Sequence, residues 1–525
     1  MILNYATLFV YFAVLVGIGL YCRRHATDVN GFVLGGRAVG AWLTAFAYGT
    51  SYFSAVVLVG YAGQFGWRYG IAATWAGIGN ALIGSLLAWA VLGRRTRIMT
   101  QHLDSATMPQ FFLKRFESRS LQLAAALIIF VFMIPYTASL YNGLSRLFGM
   151  AFPGMSYTWC IVLMAVLTAV YVIAGGYMAT AINDFLQGIV MLFGIAAVIV
   201  AVVRAQGGLM AAMDGLSRIA GPETVAGRGP TPGVFTSFLG PDPLNLLFVV
   251  ILTSLGTWGL PQMVQKFYAI RNEGAIVKGT VISTLFAFVV AGGSYFLGGF
   301  GRLFSPQLAV TAAGVPADGF DAIVPKMLES LSPVLIALVV ILVLSASMST
   351  LSSLVITSSS TLTIDFINGT LVKKMKDRSQ VLCMRLLIVV FIAASAVLAV
   401  VQYGSTSPIA FIAQMMGVSW GAMAGAFLAP FLYALYSKRT TAAACWCCFV
   451  FALALTLSGV FLRPCMPPLL QSPINTGAIA MLAGLVIVPV VSWFTKKPPE
   501  AMVEDAFACY YAPSQVPQKT ALSSL

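Results

Sequence analysis

Charge is what this chain has least of: only 9% of its 525 residues are charged, where soluble domains carry about a quarter. That shortage excludes a water-soluble fold, and with 59% hydrophobic residues it demands lipid as solvent. Histidine occurs twice, at His25 and His102, both in expected cytoplasmic loops, so proton coupling inside the membrane has only an acid to use. No expected span holds a His/Glu metal pair or a nucleophile beside a base, which excludes an intramembrane enzyme. The eight cysteines lack paired or metal-type spacing, and Cys445, Cys447 and Cys448 fall inside one apolar run. They read as small core residues rather than redox or zinc groups.

What is abundant is apolar sequence. Thirteen stretches are long enough to cross about 30 Å of hydrocarbon as helix, at residues 3–21, 38–61, 71–93, 121–150, 157–174, 180–203, 244–264, 275–300, 333–364, 381–403, 409–436, 442–462 and 475–494. An odd number puts the termini on opposite sides. The net charge of +14 would suggest nucleic acid on a soluble protein; here it is a topology signal. Sorting the 30 basic residues by loop puts 22 on one face and 8 on the other, which predicts the N-terminus outside and the C-terminus inside. Arg23 and Arg24 follow the first span and no basic residue precedes it, so it reads as a retained span rather than a signal peptide. The tail from Lys496 is expected to be a disordered cytoplasmic end.

Sixteen acids must be accommodated. Fifteen read into loops, span ends or the tail, and Asp184 alone lies just inside the sixth span. An intramembrane acid is functional by default, yet Thr180, Asn183 and Asp184 also suit the first turn of a helix; position alone leaves both readings open. The ninth span crowds hydroxyls into residues 346–353 and 357–361. Ser349, Ser352 and Ser353 share a face, as do Ala346, Ser349 and Thr350, and such faces either pack helices closely or offer oxygens to a dehydrated cation. The second span weakens its own helix with Gly49-Thr50-Ser51-Tyr52-Phe53-Ser54, and the seventh with Gly256-Thr257-Trp258-Gly259-Leu260-Pro261. Broken helices at membrane depth line cavities, and two of them five spans apart mark the site of inverted-repeat transporters.

With Phe32-Val33-Leu34-Gly35-Gly36-Arg37, Ala106-Thr107-Met108-Pro109-Gln110-Phe111-Phe112, Gly175-Gly176-Tyr177 with Asp184, Ala346 to Ser353, and Ser419-Trp420-Gly421 through Ala429-Pro430 to Lys438-Arg439 in this order, the chain resembles the sodium/solute symporters. The resemblance implies an all-α membrane protein of about 13 transmembrane helices, with an inverted five-helix repeat core of the leucine-transporter type plus accessory helices. Its divisions fall at residues 1–37 (first accessory span and loop), 38–204 (first repeat), 205–243 (outer loop), 244–436 (second repeat), 437–495 (accessory spans) and 496–525 (tail). It further implies a sodium site of the Thr50, Phe53 and Ala346 carbonyls with the Ser349 and Thr350 hydroxyls. A second sodium in some members would fall here on Asp184, Ser349, Ser352 and Ser353, which shifts the reading of Asp184 toward function. Replacing Ser349 and Thr350 by alanine is expected to raise the sodium requirement strongly, and Ser347→Ala to change it little.

The resemblance puts the solute near Tyr52, Val56, Val57, Tyr136, Thr253, Thr257 and Trp258. Sugar-carrying members have polar side chains where this chain has Val56 and Val57, and each unpaired sugar hydroxyl would cost about 1–3 kcal/mol. No span interior offers an Arg or Lys to clamp a carboxylate. The expectation is therefore sodium-coupled symport, with one or two sodium ions, of a small amino acid such as proline or a similar zwitterion, in the plasma membrane, by a functional monomer with no nucleic-acid partner. A monocarboxylate or small anion is the alternative substrate, and a solute sensor on a transporter frame the alternative class.

Overall fold

Lipid cannot hydrogen-bond a backbone, so a chain this apolar must satisfy its amides internally. The computed structural model describes residues 2–23, 26–152, 154–220, 232–311, 314–329, 331–403 and 412–511; Arg24, His25, Arg228, residues 409–411 and the tail 512–525 lie outside them. The described residues are helical, with three isolated β-bridges and no strand. The long helices are α1 (Ile2–Cys22), α2 (Ala41–Tyr52), α3 (Val56–His102), α4 (Arg119–Ala151), α5 (Tyr157–Ala205), α6 (Pro243–Gly259), α7 (Pro261–Ala269), α8 (Glu273–Gly299), α9 (Pro333–Ile367), α10 (Asp377–Gln402), α11 (Ile412–Tyr436), α12 (Ala442–Phe461) and α13 (Pro473–Phe494). Among the described residues nine are long and apolar enough to cross a membrane singly, and the pair α6–α7, bent by 45°, makes a tenth crossing.

Two of these helices are too long for one crossing. At 1.5 Å per residue, the 47 residues of α3 and 49 of α5 each extend about 70 Å. Each contains one glycine in a conformation closed to other residues: Gly70 at φ 61°, ψ −140° and Gly176 at φ 58°, ψ −155°. A Cβ on Gly70 would also sit 2.1 Å from the Phe235 carbonyl oxygen.

The two expected helix breaks are present and alike. Phe53 between α2 and α3 is extended at φ −89°, ψ 118°, and Leu260 between α6 and α7 is extended at φ −81°, ψ 121°. Val39, before α2, bridges Ile270, after α7, which ties the two broken spans together at one end. α9 packs against α5, α4 and α2, and the hydroxyls of 345–361 are buried throughout. α3 and α8 cross through glycines, with Gly66 against Gly298 and Gly77 against Gly292.

Four expectations require correction. The seventh span does not end at residue 264: α7 continues to Ala269 with every residue buried, Lys266 included, so Lys266 is not a loop charge and a span interior does hold a lysine. Asp321 and Asp365, read into a loop and a span end, are both buried, so Asp184 is not alone as a buried acid. Asp365 accepts from Thr107 Oγ1 at 2.6 Å and Gln122 Nε2 at 2.7 Å. Asp321 accepts from the Ile412 N–H at 3.2 Å, while burial pushes its carboxyl up to about 6. The tail is ordered at its start, where α14 (Glu500–Ala508) buries Val503 and Phe507 and Arg95 lies over the rings of Tyr436 and Tyr510. Finally, five of the eight cysteines are buried, whereas Cys447 and Cys465 are exposed, so the core reading fails for those two.

Candidate ion and solute site

Ending α2 at Tyr52 releases carbonyls that a continuous helix would use, and the hydroxyl face of α9 lies against them. Ser349 Oγ is 3.0 Å from the Thr50 carbonyl oxygen and 3.1 Å from that of Ala346. Thr350 Oγ1 is 3.2 Å from Thr50 O, 3.5 Å from Phe53 O and 3.1 Å from Ala346 O. All five oxygens expected of the sodium site thus converge. Oxygens bound about 2.4 Å from one hard cation stand roughly 3.4 Å apart, so this cluster has the spacing of a ligand shell as well as of a hydrogen-bonded contact. Among the described residues no three His, Cys, Asp or Glu gather as a metal site. Uncharged oxygens suit a hard monovalent ion.

Ser347 has a structural part beside this cluster. Its Oγ accepts from the Ala55 N–H at 3.2 Å, across the break. Ser347→Ala should leave that buried amide unpaired and cost about 1–3 kcal/mol, seen as a lower melting temperature of the purified protein. An unchanged melting temperature would mean the amide is satisfied otherwise.

One turn along α9 lies a second cluster. Asp184 is fully buried in α5 rather than capping a helix at an interface. Its Oδ2 is 3.8 Å from Lys266 Nζ, which also donates to Ser353 Oγ at 3.0 Å and lies over the Tyr177 ring, 5.1 Å from its centroid. Ser353 Oγ is 2.8 Å from Ser51 Oγ on α2. Ser352 instead donates to the Ser349 carbonyl at 2.9 Å. The sequence reading missed Lys266; the signal was Phe267-Tyr268-Ala269-Ile270, an apolar run that continues past it.

Of the residues expected at the solute, Tyr52, Val56 and Val57 are buried around the break, and Tyr52 lies in the electrostatic reach of Tyr48, Tyr136 and Tyr295. Among the described residues, the hydroxyls of Tyr52 and Tyr136 have no hydrogen-bond partner. The donors of the other three are engaged elsewhere. Thr253 Oγ1 donates to the Val249 carbonyl at 2.9 Å, Thr257 Oγ1 to that of Gly84 at 3.0 Å and Trp258 Nε1 to that of Ile83 at 2.9 Å. Thr253 bonds back onto its own helix, whereas the partners of Thr257 and Trp258 lie in a π-helical stretch, Asn80–Leu87, whose wider turn presents the Ile83 and Gly84 carbonyls; Tyr48 Oη also donates to Gly84 O at 2.8 Å. Trp420, which the sequence reading did not place at the solute, adjoins these residues. Its ring meets Tyr136 edge-on at 6.1 Å, its Nε1 has no partner among the described residues, and a Cβ on Gly256 would lie 2.6 Å from the ring.

Two spaces flank the site. A cavity of about 590 Å³, lined among others by Phe65, Arg68, Asp242, Val249 and Arg302, reaches the turn whose carbonyl Thr253 uses. Toward the other end, Pro261, Gln265, Thr107 and Thr357 leave a space of only about 10 Å³. Gln265 donates there to the Val33 carbonyl at 3.1 Å and accepts from Thr357 at 2.7 Å. Nearby Arg37 donates to the Ser105 carbonyl at 2.7 Å, and burial lowers the pKa of its guanidinium.

Comparison with known proteins gives a consistent result. The model of the sodium:solute symporter family matches residues 32–450. The chain is 27% identical over 495 residues to the osmoregulated proline transporter OpuE of Bacillus subtilis, covering 94% of this chain and 95% of that protein. It is 31% identical over 451 residues to the sodium/proline symporter of Staphylococcus aureus, covering 84% and 82%. Among solved structures, a sodium-coupled sialic acid symporter in a substrate-bound outward-open state superposes with a TM-score of 0.74 at 16% identity, over 95% of this chain and 99% of that one. That likeness shows the fold.

Proposed function

Because the chain belongs to the sodium:solute symporter family, we propose that it carries proline, or a similarly compact zwitterion, together with sodium by alternating access. The observation that carries the coupling is the convergence of the Thr50, Phe53 and Ala346 carbonyls with the Ser349 and Thr350 hydroxyls. Those oxygens come from both broken repeats, so filling the site would hold α2 against α9 and bias the conformational equilibrium. Proline as substrate is supported by the named substrate of two relatives. It is also supported by an apolar wall at Val56 and Val57 beside the unpartnered hydroxyls of Tyr52 and Tyr136.

The membrane reading follows the same lines. Dividing α3 at Gly70 and α5 at Gly176, and joining α2 to α3 and α6 to α7 across their breaks, yields thirteen crossings. The loop charges favour an outside N-terminus in the plasma membrane, so the larger cavity faces out. The repeats are the units 38–204 and 244–436, and the functional unit is a monomer.

Uptake into proteoliposomes tests the reading. Labelled proline should accumulate only with an inward sodium gradient, and a panel of monocarboxylates and sugars should not. Uptake indifferent to sodium would overturn the coupling, and accumulation of lactate-type anions in preference to proline would overturn the substrate.

A further inference from the structure

We propose that Lys266 is the resident cation of the second expected ion site, so that a tethered ammonium replaces a second sodium and one sodium accompanies each solute. This rests on the sodium-coupled reading above and specifies its stoichiometry.

Of the four donors that could hold a second sodium, two are engaged elsewhere. Ser349 Oγ faces the first site, and Ser352 Oγ is turned onto its own helix at the Ser349 carbonyl. Asp184 and Ser353 remain, and the Lys266 ammonium contacts both, at 3.8 Å and 3.0 Å. Tyr177 covers it with a ring face, which a cation prefers. Asp184 and Lys266 are each nearly inaccessible, at 0% and 2%, and their charges cancel. The carboxylate of α9, Asp365, is bonded to Thr107 and Gln122 and not to this pair. A sodium ion added beside this pair would leave a net positive charge in a desolvated pocket, which is strongly unfavourable.

The lysine also works mechanically. It stands on α7, the second half of a broken helix, whereas Asp184 stands on α5 and Ser353 on α9. Ser353 in turn reaches Ser51 on α2, one residue from Thr50 of the first site. The ammonium therefore ties α7 to the same elements that bind the coupling ion.

Static-head accumulation of labelled proline, in vesicles clamped at zero voltage, tests this. For the wild type, each tenfold step in the sodium gradient should raise accumulation about tenfold, and in Lys266→Met, where the site is opened, about a hundredfold. Lys266→Arg, which keeps the charge, should stay near tenfold. A hundredfold step in the wild type would leave sodium coupling intact and overturn the role of Lys266, as would a tenfold step in Lys266→Met. If Lys266→Met fails to reach the membrane, the wild-type slope decides alone. No sodium response in the wild type would overturn the sodium-coupled reading and this one with it.

Discussion

Replacing Ser349 and Thr350 together by alanine should raise the sodium concentration for half-maximal uptake about a hundredfold. Each hydroxyl faces carbonyls that an ion would share, and a hydrogen-bonding group that meets a charge contributes about 1.5–3 kcal/mol. Losing two at the low end totals roughly 3 kcal/mol, or two decades. The helix itself should survive, since both hydroxyls bond back to the Ala346 carbonyl on α9 and alanine suits a helix. Thr350→Ser, which keeps the oxygen, should stay within a few-fold of the wild type. Sodium-titrated uptake makes the comparison; an unchanged half-maximal concentration in the double variant would mean that the two hydroxyls only pack α9 against α2.

Gly66→Ala and Gly298→Ala should each remove the folded protein from the membrane. A Cβ on Gly66 would stand 1.9 Å from the Gly298 carbonyl oxygen, and one on Gly298 would stand 2.1 Å from that of Ala62. Backbone cannot rotate out of the way as a side chain can, so α3 and α8 would have to separate, at a cost beyond the usual 1–3 kcal/mol of overpacking. Gly149→Ala, where no described residue lies within 4 Å, should be neutral or slightly stabilising in its helix. Gel-filtration profiles of the solubilised protein would discriminate. A normal peak for Gly66→Ala would mean that the crossing is looser than this spacing.

The parts of the site legible in the sequence are those set by local chemistry. Gly49 to Ser54 weaken a helix whatever surrounds them, Pro261 cannot continue a hydrogen-bonded turn, and hydroxyls at three- and four-residue spacing must share a face. From these, the break near Phe53 and the hydroxyl face of α9 follow directly; that this face meets the Thr50 and Phe53 carbonyls is implied by the family resemblance alone. Lys266 escaped because hydropathy counts a lysine as an end of a span, while its burial depends on partners 82 and 87 residues away in sequence, Asp184 and Ser353. Thr257 and Trp258 sit at the break as anticipated. Their donors, however, answer to carbonyls that only the π-helical turn at Ile83 and Gly84 exposes, and no residue pattern announces such a turn. Buried Asp321 and Asp365 make the same point. Their acceptor bonds come from Ile412, Thr107 and Gln122, each far away along the chain.

A charge anchored to the backbone has an electrical consequence. Each sodium released on the far side has crossed the whole membrane potential, worth about 2.3 kcal/mol per 100 mV. An ammonium fixed to α7 would swing with that helix during alternating access and return with it, so its net contribution over a full cycle would be zero. It would nevertheless displace charge while moving. A transporter so built should show a transient current on a voltage step even with solute absent, while its steady current reports only the ions that leave.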